Sequence, residues 1–92
     1  MYKLVISTWG GKELARVTNI RTINDARNEF KRHVNHLQNI YELNQQDKCE
    51  GDTYQEVVIC LYKEGSYFHS LIGMSSRILS DYYLHRYVMF GC

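Results

Sequence analysis

The run Ile23-Asn24-Asp25-Ala26-Arg27-Asn28-Glu29-Phe30-Lys31-Arg32-His33-Val34-Asn35-His36-Leu37-Gln38-Asn39-Ile40-Tyr41-Glu42-Leu43 decides the fold. Ile23, Ala26, Phe30, Val34, Leu37, Ile40 and Tyr41 recur at a helical period, which places them on one apolar face. Thr22 stands just ahead of the run, and its hydroxyl can cap the first turn. Asp25 complements the positive end of the helix dipole. The spacing predicts one helix over about residues 22–43.

Upstream, residues 1–9 and 12–20 each alternate and are rich in β-formers, with Gly10-Gly11 between them. That arrangement reads as a hairpin whose type I′ turn needs positive φ at both glycines. Downstream, the polar stretch 44–52 contains Gly51 and reads as a loop. Residues 54–63 and 66–72 read as a second hairpin around Glu64-Gly65. Residues 73–76 break the pattern, and 77–81 read as a helical turn. Residues 82–90 are dense in aromatic and β-branched side chains and read as a fifth strand. A helix through Ile78, Tyr82, Arg86 and Met89 is the rival reading. The expected fold is α+β, a single domain over residues 1–92. Its order is ββαββ, with an antiparallel sheet of four to five strands packed on one long helix.

Composition narrows the function. Eleven Lys and Arg face ten Asp and Glu, a net charge of +1. That balance argues against a strongly basic nucleic-acid coat and against an acidic DNA mimic. No apolar run reaches the roughly 18 residues of a membrane span, and the opening Leu4-Val5-Ile6 is too short for a signal-peptide core. Cys49, Cys60 and Cys92 are odd in number and widely spaced, which favours free thiols and a cytoplasmic setting. Proline is absent, while eight tyrosines join Trp9 and three phenylalanines. Tyrosine offers rigid amphipathic contact area at low entropy cost.

Two-residue loops fix the expected cross-strand partners. In the first hairpin Ile6 faces Ala15 and Leu4 faces Val17. In the second, Leu61 faces Phe68, Ile59 faces Ser70 and Val57 faces Ile72. These apolar faces form the core beneath the helix. The opposite faces carry Tyr62 beside Tyr67, Cys60 beside His69, and Val58 beside Leu71. They also carry Trp9, Val5 and Leu14 among Lys3, Lys12 and Arg16. One helix covers one sheet face, and the other should be polar. Either this second face binds a partner or the C-terminal segment folds across it. The candidate partner-binding residues are therefore Trp9, Val5, Leu14, Arg16, Val58, Tyr62, Tyr67 and Leu71.

The remaining motifs are weaker. His33 and His36, three apart on the helix, could join Cys49 around a metal. No second ligand motif accompanies them, so two solvated histidines are expected and no metal or cofactor is assigned. Arg27, Lys31 and Arg32 form an alternative basic surface, but Asp25 and Glu29 interleave and point to a solvated, ion-paired face. Cys60 beside His69 has the residue types of a nucleophilic pair. No nucleophile elbow, phosphate loop or Gly-x-Gly-x-x-Gly is present, so no enzyme is expected. Aromatics on an open sheet are a feature of RNA-recognition folds, yet the strand order and the signature of that module are missing.

In general look, short and proline-free, the chain resembles phage-encoded proteins that inhibit host factors, anti-CRISPR proteins among them. The resemblance implies a non-enzymatic inhibitor acting on a protein partner. The expected function is a protein-binding module that also forms homodimers. The alternative is nucleic-acid or nucleotide binding, with Trp9, Tyr62 and Tyr67 stacking and Lys3, Lys12 and Arg16 on phosphate.

Overall fold

Six elements follow one another in the computed structural model, which describes residues 1–47, 50–65 and 69–89. They are β1 (Tyr2–Thr8), β2 (Glu13–Ile20), α1 (Ile23–Gln46), β3 (Tyr54–Glu64), β4 (His69–Ser80) and α2 (Asp81–Met89). The strands form one antiparallel sheet in the order β2-β1-β3-β4. α1 carries the chain from the β2 edge past β1 to β3. The fold is α+β, with one long helix and a short C-terminal one. α1 starts where the cap requires: Thr22 is extended, and its hydroxyl accepts the Asp25 N–H at 3.1 Å.

The first hairpin has the expected register, Leu4 opposite Val17 and Ile6 opposite Ala15. Its turn differs. Gly11 alone is left-handed, at φ 94°. The Gly11 N–H donates to the Thr8 carbonyl, and the Thr8 N–H to that of Lys12, both at 2.9 Å. Trp9, Gly10 and Gly11 thus make a three-residue loop, in which only the last position needs positive φ. A register shift between Ile6 and Ser7 absorbs the extra residue. A second shift brings Ile20 opposite Tyr2. It accompanies Asn19 at φ 60°, a conformation asparagine tolerates better than most residues. The result buries Ile20.

The second hairpin overturns its expected register. Leu61 faces Gly73, Ile59 faces Ser75 and Val57 faces Arg77. Cys60 faces Met74 instead of His69, which pairs with Glu64, and Val58 faces Ser76 instead of Leu71. Glu64 paired with His69 leaves four residues in the connection, not two. β4 then runs through the supposed break at 73–76 and the supposed helical turn. The reason is the helix above it. The inward position Gly73 lies under α1, where a side chain would begin in ordinary van der Waals contact with the Phe30 ring, at 3.4 Å. Arg77 Nε reaches across and donates to the side-chain oxygen Oε1 of Gln38 at 2.8 Å.

The fifth strand expected over 82–90 is overturned as far as Met89, and the rival helical reading holds from Asp81 to Met89 but not at Ile78, which belongs to β4. Tyr83 and Tyr87, four apart, are buried on one side of α2. Tyr87 stacks on His36 of α1 at 5.0 Å, and the Tyr83 hydroxyl donates to Asp47 at 2.9 Å. The Asp52 carboxylate accepts the Tyr82 N–H at 3.1 Å, satisfying a donor of the first turn. An aromatic-rich segment became a helix because tertiary burial outweighed a strand propensity worth about 1 kcal/mol.

The core lies between the two helices and one sheet face. It joins Leu4, Ile6, Ile20, Val57, Ile59, Leu61 and Leu79 of the sheet to Ala26, Leu37, Ile40, Tyr83 and Tyr87. Each fully buried aliphatic side chain contributes about 1.5–3 kcal/mol. Asn44 is buried too, and its side-chain oxygen accepts the Ser80 N–H at 2.7 Å where β4 meets α2. Asn44→Ala strands that donor, so it should cost about 1–3 kcal/mol in a denaturant melt. An unchanged midpoint would show that the bond contributes nothing. Among the described residues no helix is long and apolar enough to cross a membrane.

Candidate functional site

Both helices pack on the same face of the sheet. The other face therefore has no covering element among the described residues. Pairing partners sit on one face, so the registers lay the uncovered surface out in rows. Arg16, Val5, Cys60 and Met74 form one row. Lys3, Tyr62 and Leu71 form the next, and Glu13, Ser7, Val58 and Ser76 a third. The Trp9 backbone N–H donates to the Glu56 carbonyl at 2.8 Å, and Glu56 pairs with Ile78, making a fourth row.

This surface exposes several large apolar side chains among its polar ones. Trp9 is 79% exposed, Met74 62%, Ile78 54% and Leu71 51%. Val5, Val58, Cys60 and Tyr62 are half-buried between them. Its charges are largely spoken for. Arg16 makes two bonds to one Glu13 oxygen, at 2.6 and 3.0 Å, and the Lys3 ammonium lies 5.4 Å from the centre of the Tyr62 ring. The neighbouring Cys60 thiol, together with burial, holds the Tyr62 phenol above its ordinary range. Tyr62 is thus a neutral, positioned aromatic at any physiological pH.

Of the expected site residues, the fold brings Trp9, Val5, Arg16, Val58, Tyr62 and Leu71 onto this face. Leu14 is not among them. It packs inward against the core and lines a cavity of about 340 Å³ with Thr8, Leu84 and Val88. The three-residue turn put it there, through the register shift at Ser7. Tyr67 lies outside the described residues, as do Cys49 and Cys92. Met74, Ile78 and Tyr54 are exposed members that the sequence reading missed. Met74 and Ile78 fall beyond the point where the fourth strand was expected to end. The alternation Met74, Ser76, Ile78 was their signal.

Arg27, Lys31 and Arg32 are exposed on α1. Arg32 pairs with Glu29 at 2.9 Å, in keeping with a solvated face.

His33 was expected in solvent and is instead 2% exposed, because it falls on the buried stripe between Ala26 and Leu37. Its Nε2 lies 3.2 Å from Arg32 and 3.5 Å from the Glu29 carboxylate, and its Nδ1 has no partner among the described residues. No three potential ligands among His, Cys, Asp and Glu converge there or elsewhere among those residues. Burial holds the imidazole below its ordinary pKa of 6.5, with Arg32 and His36 acting in the same sense and Glu29 opposing them. The unfolded chain binds that proton more readily, so stability is complete above about pH 6.5 and declines as pH falls below it. Glu29, lowered chiefly by its bond from Arg32, adds a further loss below 4.5. Melts between pH 7 and pH 5 should therefore show a falling Tm, flattened in His33→Phe. An equal slope in both proteins would contradict this assignment.

Comparison with protein-family models, curated proteins and solved structures found nothing that matches this chain.

Proposed function

We propose that the chain is a non-enzymatic protein-binding module whose working surface is the uncovered sheet face. One observation carries this reading. α2 joins α1 on one side of the sheet and leaves Trp9, Leu71, Met74 and Ile78 exposed on the other. Contiguous apolar surface of this kind is rare on a domain without a partner. Trp and Met are enriched at interface cores, and strongly charged groups are depleted there. Held on such a face, a partner loses access to its own surface, which is how a small inhibitor works without chemistry. Nucleic-acid binding is the weaker reading, because Arg16 is already neutralised by Glu13 and the face lacks a row of free cations.

The test is comparative capture from an extract of the source cells. The wild-type chain and Met74→Asp are immobilised side by side, and retained proteins are identified by mass spectrometry. A protein held by the first and lost by the second supports the reading. Equal retention, or retention abolished by raising salt alone, opposes it.

A further inference from the structure

Among the described residues β4 has a strand neighbour on one side only. From Gly73 to Ser80 its register against β3 is unbroken. In an antiparallel strand, alternate residues direct both backbone groups to the same side. The Ser76 carbonyl accepts from Arg77 Nη1 at 2.6 Å, and the Ser80 N–H goes to Asn44. Even-numbered residues therefore face the open edge. That leaves the N–H groups of Met74, Ser76 and Ile78, and the carbonyls of Met74 and Ile78, without protein partners among the described residues. The opposite edge is guarded. β2 is interrupted at the left-handed Asn19 and carries the Glu13–Arg16 pair, both devices that discourage strand addition.

Arg77 stands at this open edge. Its Nε donates to Gln38, Nη1 to Ser76, and its guanidinium lies 5.7 Å from the centre of the Tyr41 ring. All these partners are neutral. No carboxylate among the described residues is within ion-pair distance, and Glu56, on the outer face, makes no pair with it. Arg77 also lines a cavity of about 430 Å³, bounded by Tyr41 and Gln45 of α1, Tyr54 and Glu56 of β3, and Ser76 and Ile78. A half-buried cation without a counter-ion, beside unpaired backbone groups and open space, calls for an extended chain that brings an anion.

We propose that the β4 edge captures an extended peptide of a partner protein, which adds as a fifth strand and pairs an Asp or Glu side chain with Arg77. Backbone bonds to Met74, Ser76 and Ile78 supply affinity, and the carboxylate supplies selectivity. A second copy of this chain fits poorly. Two β4 strands paired about Ser76 set both Arg77 side chains diagonally on one face, where like charges repel. The edge uses the backbone of Met74, Ser76 and Ile78, whose side chains belong to the outer face; the two proposals therefore meet at β4, and Ser76→Pro against Trp9→Ala tells them apart.

The test pans a display library of random heptapeptides on the full chain, then titrates an enriched peptide into labelled protein. The expected consensus alternates β-branched residues and holds an acid at one position. Amide signals of Met74, Ser76 and Ile78 shift on binding. Changing the peptide's acid to its amide, or Arg77→Gln in the protein, weakens binding about tenfold, the loss of one charge-assisted bond. Ser76→Pro removes an edge N–H while sparing the bonds to β3, and abolishes binding with the melt unchanged. Trp9→Ala leaves peptide affinity as it was. If Arg77→Gln does not fold, the acid-to-amide peptide and Ser76→Pro decide. No enrichment, a consensus without an acid, shifts confined to Val5, Val58, Cys60 and Tyr62, or a dimer that Ser76→Pro dissolves would each overturn the proposal.

Discussion

Trp9→Ala is expected to weaken the proposed partner complex about thirtyfold and to leave the fold intact. The thirtyfold loss corresponds to about 2 kcal/mol, the usual cost of truncating an aromatic hot spot. Trp9 sits in the three-residue turn with 79% of its surface exposed, so no core packing is lost with it. Met74→Asp, in the middle of the sheet edge, should do at least as much damage by placing a charge inside the interface. Lys31→Ala on the helix is the control. An exposed charge contributes only about 0–1 kcal/mol, so affinity should barely change. Titration calorimetry with the captured partner, alongside melts, separates binding from folding. Loss of binding in Lys31→Ala but not in Trp9→Ala would move the working surface to the helix.

Ile59→Ala is expected to cost about 3–4 kcal/mol, a large share of the 5–15 kcal/mol that holds a small domain folded. Ile59 has no exposed surface and lies in β3, between β1 and β4 and beneath the helices. Met74→Ala should stay within about 0.5 kcal/mol, because its side chain is 62% exposed and leaves no cavity. The contrast is informative because the two residues lie on opposite faces of the same sheet. Urea melts give both numbers. Comparable losses would mean that both faces are core, and that the outer face is buried in the free protein.

The helix and the first hairpin were legible because local signals agreed with the tertiary result. Thr22 capped, the apolar residues from Ile23 to Tyr41 kept a helical period, and Leu4 met Val17 as turn arithmetic required. The second hairpin was not legible, because its inward face is not apolar. Gly73, Ser75 and Arg77 occupy its inward positions, and only the reach of Arg77 is accounted for, once Gln38 lies above it. α2 was hidden by Tyr82, Tyr83, Tyr87 and Val88, residues that favour strands locally and a helix only when Tyr83 and Tyr87 dock together beside α1. The existence of an aromatic second face was readable from alternation alone. Its membership was not: Leu14 left it through one register shift, and Met74 and Ile78 joined it through β4's extra length.

The central claim is that the outer sheet face is open in the free protein and closed by a partner. Cys60 reports on it directly, since it is a free thiol, half-exposed in the middle of that face between Val5 and Met74. The measurement is the rate at which a small thiol reagent labels Cys60, located by peptide mass spectrometry, in the free chain and in the complex. The account predicts ready labelling of the free protein and marked protection when the partner is bound. A Cys60 that resists labelling in the free folded chain, or labels equally fast in the complex, would contradict it.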